Sequence, residues 1–226
     1  MAPTKVPHAP TLRGPTAATL ILMPSVYALK PAFQGLLRPI VRRLARAGVT
    51  ANQVTVVACV LSAGVGLFVT WRIQSRSALL VLPPFLVIRM ALNAIDGMLA
   101  REFQQKSALG AYLNELCDVI SDAFLYLPFA LLPGFDALWM GVVIVLAVIS
   151  EMAGTIAVMV GAARRYDGPM GKSDRATVFG ALALWMGLGG SVNSSVAWLF
   201  PRAMALLLAA TIVNRVRRGL AESKGR

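Results

Sequence analysis

The sequence predicts an all-α membrane protein: a six-transmembrane-helix bundle preceded by an N-terminal interfacial amphipathic helix. Three observations carry that prediction. The 226-residue chain is 57% hydrophobic and only 14% charged, with a mean hydropathy of +0.68, whereas soluble domains are about 25% charged. Its apolar residues fall into successive runs close to the ~20 residues that a bilayer requires. Its Lys and Arg residues gather at the ends of those runs, as membrane topology demands.

Residues 1–27 read as a flexible N-terminal extension, with several prolines, no acidic residue and one short apolar stretch, Thr19–Met23. Pro24 interrupts that stretch and basic residues follow it, which argues against a signal peptide. In residues 28–47, Leu36, Leu37, Ile40, Val41 and Leu44 alternate with Lys30, Arg38, Arg42, Arg43 and Arg46. This spacing predicts the amphipathic helix, lying in the interface with its basic face toward anionic lipid.

The membrane domain is expected over residues 48–215. Its first run opens at Thr50-Ala-Asn52-Gln-Val-Thr55 and ends near Trp71; the second spans Ser77 to Leu99, with Pro83-Pro84 expected to kink its early part. The third runs from about Ser107 to Leu132 and the fourth from Ala137 to Val160. The fifth, from about Thr177 to Leu188, is short unless it begins within the preceding loop; a glycine-rich turn separates it from the sixth, about Ser195 to Val213. Residues 216–226 read as a basic cytoplasmic tail.

With the N-terminus inside the cell, every Lys and Arg falls on the cytoplasmic side except Arg72, Arg76, Arg202 and the intrahelical Arg89. The positive-inside rule therefore places both termini in the cytoplasm, and an inner (plasma) membrane of bacterial type is the expected location. The net charge of +12 is explained by this placement and by anionic head groups, so nucleic acid is not an expected partner. Cys59 and Cys117 both lie in apolar runs and read as small buried hydrophobes.

The chemistry is concentrated in Asn93-Ala-Ile-Asp96-Gly97-Met-Leu-Ala100-Arg101, followed by Gly110, Asn114, Asp118 and Asp122. Asn93 and Asp96 share one helical face, and Asn114, Asp118 and Asp122 share a face of the next helix. An acidic residue at the centre of a membrane helix costs roughly 2.5–3.5 kcal/mol on insertion scales, so several at helical spacing are expected to be used. Hard divalent cations prefer carboxylate oxygen, and two helices that each offer ligands make a site open to substrate phosphates. Gly97 and Gly110 allow close approach to the backbone, and Arg101 can pair with phosphate bidentately. A metal or nucleotide site between two helices, at the cytoplasmic end, is the expectation.

This pattern resembles the signature of the CDP-alcohol phosphatidyltransferases, D-x2-D-G-x2-A-R-x8-G-x3-D-x3-D, and the spacing matches throughout. Asn93 takes the first Asp position, Asp96 the second, Asn114 the third and Asp118 the fourth. Asn52-x-x-Thr55 is similar to the Asn-x-x-Thr before the family's first membrane helix. Gly171-Lys172-x-x-Arg175 is similar to the basic segment that opens its fifth.

The resemblance implies a six-helix membrane enzyme, commonly a homodimer, that uses one or two Mg²⁺ or Mn²⁺ ions to grip a CDP-linked lipid. The hydroxyl of a small alcohol attacks the phosphate that carries the lipid, and CMP leaves. By this reading Asp118 is the catalytic base and Asn93, Asp96, Asn114 and Asp118 form the metal set, which Asp122, on the same helical face as Asn114 and Asp118, is expected to join. Asn52, Asp96, Gly97, Ala100, Arg101 and Gly110 hold the nucleotide, and Lys172 and Arg175 hold the acceptor.

The expected function is phosphatidyl transfer from CDP-diacylglycerol to a small alcohol, phosphorylated or not. Asn93 and Asn114 leave the quartet with two negative charges instead of four. Either Glu115 or Asp122 compensates, or a single metal suffices. The asparagines also leave open a weakened relative that binds CDP-lipid or metal without turnover. A small ion-coupled transporter is the third possibility, against which the intact Asp-Gly-x2-Ala-Arg segment counts. Arg89, one turn from Asn93, either binds substrate phosphate or pairs with a carboxylate, and Glu151 is expected to be a paired structural carboxylate.

Overall fold

The computed structural model describes residues 30–225, so the expected extension over residues 1–27, including Thr19–Met23, lies outside the described residues. The chain folds as α1 (Lys30–Arg46), α2 (Ala51–Trp71), a 3₁₀ segment (Arg76–Val81), α3 (Leu82–Glu102), α4 (Ala108–Ala130), α5 (Ala137–Met159), α6 (Lys172–Gly187) and α7 (Ser194–Lys224). No strand occurs among the described residues.

Local chemistry sets most of these boundaries. Thr50 caps α2 with a reciprocal capping box: Gln53 N donates to Thr50 Oγ1 at 3.2 Å and Thr50 N donates to Gln53 Oε1 at 2.9 Å. Ser107, Asp136 and Asn193 accept backbone N–H groups at the starts of α4, α5 and α7. The expected kink at Pro83-Pro84 is instead a helix start. The two prolines sit in the first turn of α3, where their missing N–H groups cost nothing, and the 3₁₀ segment leads into them.

The fifth helix begins well before its apolar run, at Lys172, so its first turn carries Lys172, Asp174 and Arg175. The sixth extends far beyond its apolar run. Residues 216–224, expected as a tail, continue α7 because its buried stripe continues: Met204, Leu208, Thr211, Arg215 and Gly219 recur at helical spacing.

By length and composition, Ala51–Trp71, Arg76–Glu102, Ala137–Met159 and Ser194–Lys224 can cross a membrane. Of the six expected spans, α4 misses that description because it carries Glu115, Asp118 and Asp122, and α6 because it has only 16 residues. Val56, Val57, Val60, Leu61, Leu67 and Phe68 of α2 are exposed, as are Leu138, Val145, Met152 and Ile156 of α5. Such an apolar exterior suits hydrocarbon rather than water.

α2 is the central post, packed on both α3 and α4, while α3 and α4 approach each other less closely. Its tightest contact is with α4, where any Cβ on Gly66 would overlap the Phe124 carbonyl. α4 packs on α5, α5 on α7, and α6 on α3 and the 3₁₀ segment. The main core surrounds Phe179, stacked on Tyr126 with ring centroids 4.1 Å apart and packed against Phe129 and Phe200. A second cluster docks α1, through Leu37 and Val41, onto Val54, Ile95, Met98 and Leu99. Arg38 Nη2 pairs with Glu102 at 3.0 Å beside it. The polar residues of α3 and α4 occupy the space between these two clusters.

Candidate active site

Because α2 holds α3 and α4 apart, polar side chains bridge the space between them. Asp96 is buried, and its Oδ2 accepts from Thr55 Oγ1 at 2.8 Å, which ties the α3 carboxylate to the Asn-x-x-Thr turn of α2. Across the gap, Asn93 Nδ2 donates to Asp118 Oδ1 at 3.3 Å. Arg89 Nη2 donates to the Asp118 carbonyl at 3.0 Å and lies 3.6 Å from its Oδ1. Lys172, from the first turn of α6, pairs with the same Oδ1. Contacts to the Asp118 carboxylate thus converge on Oδ1; Oδ2 receives no side-chain hydrogen bond among the described residues.

The nucleotide candidates line the same end. Asn52 lies against Gly110, where a Cβ would fall 2.7 Å from Asn52 Oδ1. Gly110 therefore lets the starts of α2 and α4 meet. A Cβ on Gly97 would come within 3.1 Å of both terminal nitrogens of Arg101, so the Arg101 guanidinium covers the glycine backbone. Ala100 packs toward the α1 cluster, and Gln105 Oε1 accepts from Ala51 N at 2.7 Å, closing the loop over the α2 start.

Not every predicted residue joins this group. Asn114 shares a face of α4 with Asp118, but its Nδ2 reaches the neighbouring Glu115 Oε1 at 3.5 Å. Both Asp122 oxygens are 2.8 Å from guanidinium groups, Oδ1 from Arg89 and Oδ2 from Arg175. Arg175 itself is fully buried and also reaches Glu151 at 3.1 Å, Ser150 Oγ at 3.3 Å and the Met170 carbonyl at 3.3 Å. Glu115 cannot readily join a metal set either, because Arg164 Nη1 is 2.5 Å from Oε1 and Thr155 Oγ1 donates to Oε2 at 3.2 Å.

These contacts belong to a second network, which sequence reasoning found only in part. Glu151 Oε1 takes Arg175 at 3.1 Å and Arg215 at 3.4 Å, and its Oε2 lies 3.6 Å from Arg164. Arg215 also donates to the carbonyls of Ser150 and Asp167. In the sequence Arg215 reads as one more basic residue of the cytoplasmic side, at the end of the expected membrane domain. The signal that reveals it is the Met204–Leu208–Thr211 stripe, whose next position is 215.

The donor chemistry at the first group suits one hard divalent ion. Asn93, Asp96 and Asp118 of this group, with Asn114 one turn before Asp118, can each offer an oxygen ligand, and the two carboxylates balance one dication. Among the described residues no three His, Cys, Asp or Glu side chains stand together as a metal site, in keeping with a quartet in which two members are asparagine.

Residues 48–216 match the family model of the CDP-alcohol phosphatidyltransferases, and the chain belongs to that family. It is therefore a transferase of phospholipid biosynthesis and, with its four apolar helices, an integral membrane protein. Among its relatives is "Inner membrane protein YnbA" of Escherichia coli (strain K12). The two are 44% identical over 196 residues, covering 85% of this chain and 95% of that protein.

The fold is similar to that of Mycobacterium tuberculosis phosphatidylinositol phosphate synthase (PgsA1). The crystal structure of that enzyme with manganese and citrate matches with a TM-score of 0.63 at 20% identity, covering 80% of this chain and 88% of that one. Its structure with CDP-DAG bound matches with a TM-score of 0.60 at 22% identity, covering 82% and 92%.

Proposed function

We propose that this protein transfers a phosphatidyl group from CDP-diacylglycerol to a small alcohol and releases CMP, using one Mg²⁺ or Mn²⁺ ion. The observation that carries the reading is the placement of Asp118. It is fixed through one oxygen by Asn93, Lys172 and Arg89, and its other oxygen is free to act. Asp118 Oδ2 accepts the proton of the attacking hydroxyl, because a fixed carboxylate with an unused oxygen is suited to that task. Asn93, Asp96, Asn114 and Asp118 would hold the ion, which when bound neutralises diphosphate charge. Asn52, Gly97, Ala100, Arg101 and Gly110 receive the cytidine diphosphate, with Arg101 free to swing from Gly97 onto phosphate.

In-line displacement at phosphorus asks mainly for positioning and charge neutralisation, and this arrangement supplies both. Asp122 and Arg175 act as scaffold: Arg175 fixes Asp122, and Asp122 fixes Arg89, which in turn holds the Asp118 backbone. Lys172 is the one acceptor candidate that reaches the reacting group. We place all six long helices across the membrane as a homodimer, with α1 on the inner surface, both termini cytoplasmic and the site opening to the cytoplasm. The Lys and Arg distribution supports that orientation.

The test is purified protein incubated with CDP-diacylglycerol, Mg²⁺ or Mn²⁺ and a panel of alcohols. CMP release that requires an alcohol supports transfer. Binding of CDP-diacylglycerol without release under every condition would instead favour the weakened relative that Asn93 and Asn114 suggest.

A further inference from the structure

We infer that Glu151 serves as a built-in anion for the arginine cluster beside the site, and that the acceptor is consequently an alcohol without a phosphate of its own. This rests on the transfer reading above and names its acceptor class. A phosphomonoester brings a charge of about −1.5 to −2 and three strong acceptor oxygens, so its site needs several cationic donors that are not already spent.

Each basic side chain on this side of the site already faces a carboxylate, and the donors left over, Arg164 Nε and Arg175 Nε, are single and buried. Lys172 is on Asp118. Arg175, fully buried, divides itself between Asp122 and Glu151. Arg215, 1% exposed, holds Glu151 and two carbonyls. Arg164 holds Glu115 and approaches Glu151.

Three arginines from the loop after α5, from α6 and from α7 thus converge on one carboxylate, itself only 6% exposed. A phosphate entering the cluster would have to expel Glu151 and leave it buried without its partners, which is heavily disfavoured. An uncharged hydroxyl compound imposes no such exchange: it needs only Asp118 Oδ2, which receives no side-chain hydrogen bond.

The experiment offers paired acceptors to the full-length protein with CDP-diacylglycerol and Mn²⁺: glycerol against glycerol 3-phosphate, and myo-inositol against inositol 1-phosphate. In each pair that is used, the expected preference in kcat/KM is at least about tenfold for the unphosphorylated member. A second arm measures melting temperature with inorganic phosphate, which should stabilise Glu151→Gln and leave the parent unchanged. Preference for a phosphorylated acceptor, or equal stabilisation of parent and variant by phosphate, would overturn the inference while leaving transfer intact. CMP release with no acceptor of either kind would instead sink the transfer reading and this inference with it. Should Glu151→Gln fail to accumulate, the paired panel on the parent decides alone.

Discussion

Two groups of charged side chains lie side by side in this protein, and they are built to opposite rules. Around Asp96 and Asp118, carboxylates are under-committed: contacts gather on one oxygen of Asp118, and the neighbouring motif positions are neutral amides. Around Asp122 and Glu151, every carboxylate oxygen faces a guanidinium, and the central members are almost completely buried. A charge in an apolar interior must be paired, and a fully paired set has nothing left for a ligand. In the proposed function the first group exchanges partners for a metal and a diphosphate, while the ion pairs of the second link α3 through α7. Arg89 joins the two, touching Asp118 on one side and Asp122 on the other.

The sharpest way to break this division is to remove one carboxylate from each side. Asp118→Ala should lower alcohol-dependent CMP release by about 10³-fold or more, since base and metal ligand vanish together, with little change in melting temperature. Asp122→Ala should do the reverse in kind. Two buried guanidinium groups lose their anion, at a cost of about 3–5 kcal/mol, read as a lower melting temperature or poor accumulation in the membrane. If Asp118→Ala proved the unstable variant and Asp122→Ala the stable, inactive one, the assignment of roles would be inverted.

Thr55→Val probes the under-committed group more gently. It removes a hydrogen bond to a charged carboxylate, worth about 1.5–3 kcal/mol. Part of that should appear as weaker Mn²⁺ activation, roughly tenfold in the concentration needed, because Asp96 loses its orientation. Unaltered Mn²⁺ activation would place Asp96 outside the metal set.

Legibility from sequence followed the same division. The residues from Asn93 to Asp118 could be read because their spacing is a local, one-dimensional pattern that maps directly onto two helix faces. Their partners could not. That Thr55 reaches Asp96, or that Lys172 reaches Asp118, depends on how α2 and α6 lie against α3 and α4, which no local period encodes. Arg175 is an acceptor candidate through its similarity to the family's basic segment and Asp122 a metal candidate through its helical face, and neither signal says that the two pair with each other.

The fold was legible wherever hydrophobic runs and caps coincided, as at Thr50, Ser107 and Asp136. It was not where polar residues sit on a helix end, as in the first turn of α6 and in residues 216–224 of α7. There tertiary ion pairs, such as Arg218 with Asp167, supply what the apolar period lacks.

That last pair offers a further contrast, between interior and surface charge. Asp167 lies in the loop between α5 and α6, where Arg165 Nη2 is 2.7 Å from Oδ2 and Arg218 Nη1 is 2.6 Å from Oδ1. Partial burial works against its charge, but the hydrogen bonds from Arg165 and Arg218 prevail and hold its carboxyl below the usual carboxylate range. The folded protein therefore keeps Asp167 ionised at acidities where the unfolded chain would protonate it. Its contribution to stability is complete above the ordinary carboxylate pKa of about 4 and disappears as pH falls through the lower folded value. Arg218 is largely exposed, so screening should limit the effect to about 1 kcal/mol or less, weaker still in high salt. The expected result for Asp167→Asn is a slightly lower melting temperature at neutral pH, converging on the parent as the solution is acidified and as salt is added. A deficit that stayed constant across pH and salt would mean that Asp167 acts through packing at the end of α7 and not through its charge.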